Sequence, residues 1–209
     1  MDWRSWHDEY DLPDSSLARR LRAVQERIRV ALDGCPPGPL KVVSLCAGQG
    51  RDLLGVLAGH PRRDDVRARL VEVDPGNVAF ARNLAAGLDG VEVVMGDAAL
   101  TDHYLGMVPA DLVLVCGLFG NITESDIERT VDHCVRLCAT GATVIWTRHR
   151  EPPDRVPLIC DWFEARGFER QWVSDPDAGF GVGAHRFTGR PQPLTAGASM
   201  FTFVGYDRF

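Results

Sequence analysis

Lys41-Val-Val-Ser-Leu-Cys-Ala-Gly-Gln-Gly-Arg-Asp52 is the stretch that decides how this 209-residue chain is read. The apolar run Val42 to Leu45 predicts a short strand, and Arg51 to Leu57 predicts a helix that begins directly behind the turn holding Gly48 and Gly50. Such a turn sets the free N–H groups of a helix start beside a bend that glycine makes without a Cβ clash. The stretch therefore predicts a ligand-binding loop in an α/β protein. A dinucleotide fingerprint needs a third glycine three places beyond the second, where this chain has Leu53. The pyrophosphate cradle is incomplete, which argues against an NAD-dependent enzyme.

The turn resembles the first motif of class I S-adenosylmethionine-dependent methyltransferases, whose usual form is acidic-or-small, x, Gly/Ala, x, Gly, x, Gly. Cys46-Ala47-Gly48-Gln49-Gly50 keeps the last two glycines, and Ser44 stands where the family usually has an acid. The resemblance implies that Cys46, Ala47, Gly48 and Gly50 lie under the methionine part of S-adenosylmethionine. It also implies that Ser44 weakens direct contact with the methionine amino group.

Further along, Arg69-Leu-Val-Glu-Val-Asp74 predicts a strand ending in acids, followed by a helix from Pro75 to about Ala86 closed by Gly87. A carboxylate at a strand end about twenty residues after a glycine turn suits a ribose diol, because it accepts hydrogen bonds from two adjacent hydroxyls. Glu-x-Asp-Pro also resembles the family's second motif, which implies Glu72 as ribose ligand, Asp74 as helix cap and Val73 within the cofactor set. Val91 to Met95 predicts a third strand, and Gly96-Asp97-Ala98 after it resembles the family's adenine-holding turn, implying that role for Asp97 and Ala98. Ala110 to Cys116, apolar without alternation, predicts a central parallel strand. Thr123 and Asp126 predict a capping box for the helix behind it. In the resembling enzymes this strand end faces the transferring methyl group. Cys116 and Gly117 are implied at the cofactor, and Leu118, Phe119 and Asn121 beside the acceptor.

Gly141 to Arg150 predicts a fifth strand whose end lies on the same rim, since ligands of open α/β sheets bind at the carboxyl ends of strands. Arg148, His149 and Arg150 are candidates to meet an anionic acceptor or remove a proton, with Arg148 and His149 the catalytic choices. Asp154 to Arg166 predicts a helix. Phe168 to Val173 and Ser199 to Tyr206 read as strands from their aromatic and β-branched alternation. The glycine-rich stretch 175–187 between them predicts a substrate-side flap, with His185 as a further catalytic candidate and Arg186 beside it.

At the amino end, Trp3, Trp6, His7 and Tyr10 form an aromatic tail that caps the core or folds over the site, giving Trp6 and Tyr10 as acceptor-binding candidates. Ser15 or Ser16 caps an amphipathic helix to about Leu32, and Gly34 to Pro39 stops it.

These elements predict one domain over residues 1–209, with a tail and cap helix over 1–38 and a Rossmann-like core over 40–206. The resemblance implies a three-layer, seven-stranded sheet in the order 3-2-1-4-5-7-6, mostly parallel with the last strand antiparallel. Net charge is −6, which argues against a broad nucleic-acid surface, and the bias of 22 Arg to one Lys reads as genome composition more than function. The six cysteines contain no Cys-x-x-Cys pair, so reduced thiols and no metal are expected. Neither a membrane span nor a signal peptide is legible, and a cytoplasmic location is expected. The functional expectation is metal-independent O- or N-methylation of a small-molecule acceptor, in a monomer or homodimer. The alternatives are a non-methylating enzyme on the same fold and a cofactor-binding regulatory subunit without catalysis.

Overall fold

A computed structural model of the chain describes residue 12 and residues 14–205. The aromatic tail, with Trp6 and Tyr10, lies outside the described residues. Helix α1 (Ser16–Gly34) is capped by Ser15, whose Oγ accepts from the Ala18 N–H at 2.9 Å. It buries Leu17, Val24, Ile28 and Leu32 on one stripe, and Leu21 is only partly covered. The Arg62 guanidinium secures its far end by donating to the carbonyls of Leu32, Cys35, Pro36 and Gly38 at 2.8–3.0 Å.

The core alternates strands and helices: β1 (Leu40–Leu45), α2 (Arg51–Leu57), β2 (Val66–Glu72), α3 (Pro75–Leu84), β3 (Val91–Met95), β4 (Ala110–Val115), α4 (Glu124–Leu137) and β5 (Cys138–His149). After α5 (Val156–Ala165) come β6 (Phe168–Val173) and β7 (Phe180–Phe187). All seven strands join one sheet in the order β3-β2-β1-β4-β5-β7-β6. The pairs from β3 to β5 are parallel, and β7 is antiparallel to both neighbours. The order and the direction of the last strand are those the family resemblance implies.

Side chains alternate across each strand, so β1 feeds two cores. Val43 and Leu45 join Val113, Val115, Ile127, Val131 and Phe163 on one face. Val42 joins Leu70, Leu112, Leu114, Ile28, Leu53 and Val78 on the other. Helices thus cover both faces of the parallel strands, and the three-layer arrangement follows. No helix among the described residues is long and apolar enough to cross a membrane.

Two expectations are corrected at the carboxyl end of the chain. The seventh strand is Phe180–Phe187, inside the predicted flap, and residues 199–205, the described part of the strand expected over Ser199 to Tyr206, form no strand. The glycines of β7 provide packing room. A Cβ at Gly183 would sit 2.3 Å from the Trp146 ring, and one at Gly181 would sit 2.3 Å from a Val156 methyl. The predicted strand is instead a strap across the sheet's rim. Met200 N–H donates to the Ala99 carbonyl at 2.9 Å, Thr202 N–H to Asp126 Oδ2 at 2.9 Å, and Val204 N–H to the Asn121 carbonyl at 2.9 Å. The alternation of Phe201 and Phe203 is real, but carboxylate and loop acceptors replace a partner strand. Asp126 is drawn away in this way, so Thr123 caps α4 alone, accepting from the Asp126 N–H at 3.2 Å.

Candidate functional site

A cavity of about 470 Å³ opens at the carboxyl ends of β1, β2, β3 and β4. Cys46, Ala47, Gly48, Gly50, Glu72, Val73, Asp97, Ala98, Cys116 and Gly117 all line it, so the structure brings together every residue that the sequence assigns to cofactor binding.

The first turn owes its shape to three left-handed residues, Cys46 (φ 49°), Gly48 (φ 55°) and Gly50 (φ 67°). Gly50 is also sterically required: a Cβ there would lie 2.8 and 2.9 Å from the Leu54 and Leu70 methyls. Cys46 is the one non-glycine of the three, held in a conformation that costs L-residues about 1 kcal/mol or more.

Glu72 ends β2 and is 7% exposed. Its Oε2 accepts from the Gly48 N–H at 2.8 Å, and its Oε1 from the Asp74 N–H at 2.9 Å. A carboxylate offers about four lone-pair sites, so these bonds orient the group and leave capacity for ligand hydroxyls. Asp74 caps α3 by accepting from the Asn77 N–H at 2.8 Å, as the sequence predicts. Val73 keeps 67% of its surface exposed at the cavity wall, an apolar platform unused by the core. At the end of β3, Asp97 Oδ1 accepts from the Ala99 N–H at 2.9 Å. Across the cavity, the Gly117 N–H donates to Thr147 Oγ1 at 2.8 Å, tying the ends of β4 and β5.

Cys46 and Cys116 are thiols at neutral pH. Burial pushes both well up, assisted by Glu72 and Asp97 at Cys46 and by Asp52 at Cys116. Neither is poised as a nucleophile.

Sequence reasoning missed Arg20, Asp52, Thr147, Phe201 and Phe203, which also line the cavity. Asp52 follows Gly50 by two residues. Burial raises its carboxyl above the ordinary range, opposed by the Leu53 N–H at 2.7 Å and by the Arg20 charge. An acid in a helix's first turn is common, so the sequence carried no distinguishing signal at Asp52. Arg20 is one of several arginines on an amphipathic helix.

The acceptor-side expectations fare differently. Leu118 and Phe119 are fully buried in the core, with the Phe119 ring 6.0 Å from Trp146, so neither lines the gap. Asn121 braces its loop: Nδ2 donates to the Gly117 carbonyl at 2.7 Å and its N–H to the Leu118 carbonyl at 2.8 Å. Arg148 donates to the Phe119 carbonyl. His149, half-buried at the end of β5, titrates below its ordinary value through burial and then through Arg148. The cavity lining includes none of Phe119, Asn121, Arg148 and His149. Arg150 holds Asp154 and the carbonyls of Phe180 and Ser174, a structural set.

His185 is corrected outright. It is 0% exposed, accepts from the Trp146 Nε1–H at 3.1 Å, and stacks on Phe163 with centroids 4.9 Å apart. Burial lowers its pKa to about 4. Because β7 runs antiparallel, Phe180 pairs with His149 at the rim, while His185 and Arg186 lie beside Val144 and Thr143, toward the opposite edge.

No family model and no curated relative matches the sequence. Solved structures do match the fold. An O-methyltransferase family protein from Burkholderia thailandensis superposes with TM-score 0.66 at 15% identity, over 90% of this chain and 61% of that one. The CurJ carbon methyltransferase gives TM-score 0.69 at 13% identity, over 90% and 59%. The Burkholderia thailandensis 1,6-didemethyltoxoflavin-N1-methyltransferase, with bound 1,6-didemethyltoxoflavin and S-adenosylhomocysteine, gives 0.64 at 18% identity, over 89% and 85%. The chain thus spans about three fifths of the first two proteins. Taken with the strand order and the antiparallel β7, these matches show that the chain has the fold of the class I S-adenosylmethionine-dependent methyltransferases.

Proposed function

We propose that this chain is an enzyme that uses S-adenosylmethionine to methylate a small-molecule acceptor. The observation that carries the reading is the convergence of the three motif turns on one cavity, with the Glu72 carboxylate bonded to the Gly48 N–H at its centre. The residues suit the cofactor: Glu72 for the ribose diol, Val73 as a flat apolar surface and Asp97 with Ala98 for the adenine edge. When bound, S-adenosylmethionine supplies an electrophilic methyl group on a sulfonium. The protein's part is then to align the acceptor beside Gly117 and keep water away, for which the strap residues Phe201 and Phe203 provide apolar cover.

The acidic charge of −6 supports a small acceptor over nucleic acid. The acceptor atom is not set by the fold, since the similar structures are named for oxygen, nitrogen and carbon methylation. O- or N-methylation without a metal remains our reading, because displacement at a sulfonium needs no Lewis acid. His149 is its base where the acceptor needs one, its lowered pKa favouring the neutral, proton-accepting form. Trp6 and Tyr10 stay in the proposal as acceptor contacts from the tail. One domain in the cytoplasm, as monomer or homodimer, completes it.

Titration calorimetry with S-adenosylmethionine, S-adenosylhomocysteine and NAD tests the proposal. Micromolar binding of the first two and none of NAD is expected. Well-folded protein that binds neither would move the reading to a regulatory subunit.

A further inference from the structure

The chain leaves β7 at Phe187 and runs through residues 188–205 without a helix or strand, yet it returns to the mouth of the cavity. Irregular stretches longer than about 12–15 residues in a compact domain are usually functional. The part over the rim is bracketed by Gly197 (φ 72°) and Gly205 (φ 81°). A Cβ at either position would meet nothing within 4 Å, so the left-handed backbone, not crowding, calls for glycine at both.

Anchors and rings alternate between these two glycines. Met200, Thr202 and Val204 each donate a backbone N–H, to the Ala99 carbonyl, to Asp126 Oδ2 and to the Asn121 carbonyl. Phe201 and Phe203, which lie between those anchors, line the cavity. The middle anchor is built from one turn of α4. Asp126, 6% exposed, pairs through Oδ1 with Arg129 Nη2 at 2.6 Å, and Arg129 Nε donates to the Met200 carbonyl at 3.0 Å. The two side chains thus grip the backbone on both sides of Phe201. The anchors belong to separate elements and to no strand ladder, so opening this segment leaves every strand pair of the sheet intact.

We propose that residues 198–204 form a gate over the cavity, hinged at Gly197 and Gly205 and latched by Asp126 and Arg129. The ligand it admits is the cofactor, an assignment that rests on the reading above. Closed, the gate holds Phe201 and Phe203 over the ligand as cover from water; open, it carries both rings off the mouth. A latch acts on the empty and the loaded protein alike. Weakening it therefore raises the rates of entry and exit together and leaves the affinity in place, whereas damage to a fixed wall raises exit alone.

Native-state hydrogen exchange of the full chain reads the gate without any ligand, and surface plasmon resonance with S-adenosylhomocysteine reads passage through it. In the wild type, the Thr202 and Val204 amides are expected to exchange through local opening, about a hundredfold or more faster than the amides of β5, which wait for global unfolding. Asp126→Ala removes the latch. Thr202→Pro removes only the N–H that the latch holds and leaves α4 untouched, so it carries the test if the first variant folds poorly. Each variant is expected to raise both the association and the dissociation rate of S-adenosylhomocysteine about fivefold or more, with Kd within about twofold. A rise in dissociation alone makes the strap a fixed wall and overturns the gate. Unchanged rates in both variants overturn it too, as do wild-type strap amides that exchange only together with β5. Strap amides that open locally in a wild type that binds no S-adenosylhomocysteine overturn the cofactor reading, and with it a gate for that ligand.

Discussion

In the β3-β2-β1 half of the sheet the strands run parallel, and each is followed directly by a polar turn that reaches the cavity. In the β5-β7-β6 half, β7 runs against both neighbours and the interior is aromatic. Trp146, Phe163, Phe168 and Phe187 form a chain of rings with centroids 4.8–6.2 Å apart. The first half directs hydrogen-bonding groups outward to a ligand, and the second directs large rings inward to one another. Chemistry and stability are therefore separable by position. Substitutions in the aromatic half should lower stability and spare ligand affinity, and those in the motif half should do the reverse.

Gly183→Ala should have the largest effect. Its Cβ would press on Trp146, which is fully buried and held by His185, so the ring has nowhere to go. We expect a loss of about 3 kcal/mol, the upper end for overpacking, measured by urea denaturation. S-adenosylhomocysteine affinity should be unchanged. A stable Gly183→Ala protein would show that the aromatic half is looser than its geometry implies.

Glu72→Gln should invert that pattern. Loss of a charged acceptor for the ribose hydroxyls is expected to weaken S-adenosylhomocysteine binding by about 1.5–3 kcal/mol, roughly tenfold to more than a hundredfold. The fold should lose only about 1 kcal/mol, the scale of one hydrogen bond, because one of the Gly48 and Asp74 N–H groups exchanges its acceptor for water. Equal affinity in both proteins would remove the ribose role from Glu72.

The smallest effect concerns pH. The His185 imidazole titrates at about 4 in the fold, against an ordinary 6.5 in the unfolded chain. The unfolded chain takes up the proton first, so this contribution is complete above pH 6.5 and declines as pH falls toward 4. Between pH 7.5 and pH 5 it amounts to about 2 kcal/mol. His185→Gln keeps an acceptor for the Trp146 N–H and removes the titration, so its urea midpoint should change less over that range. Parallel declines in the two proteins would place the acid sensitivity elsewhere.

The motif half was legible because its signals are local. Gly48, Gly50, Asp74 and Asp97 act within a few residues of their own strand ends, and a single strand-turn-helix unit fixes their conformation. Gly181 and Gly183 were misread because glycine in a strand and glycine in a loop look alike in sequence. Only the rings of Trp146 and the side chain of Val156, which pack against β7 from distant elements, distinguish them. The Ser199 to Tyr206 segment has a strand's alternation, but its acceptors on Ala99, Asp126 and Asn121 come from three separate elements.

The sequence by itself determined the turn chemistry and ten of the residues that line the cavity, because parallel β-α units carry their ligand groups at strand ends, and the sheet order came with the family those turns resemble. Only the tertiary structure decided that His185 belongs to the core and that Arg20 and Asp52 belong to the site. Both depend on which side chains meet across elements far apart in the chain, and burial and electrostatic partnership arise only once those elements pack.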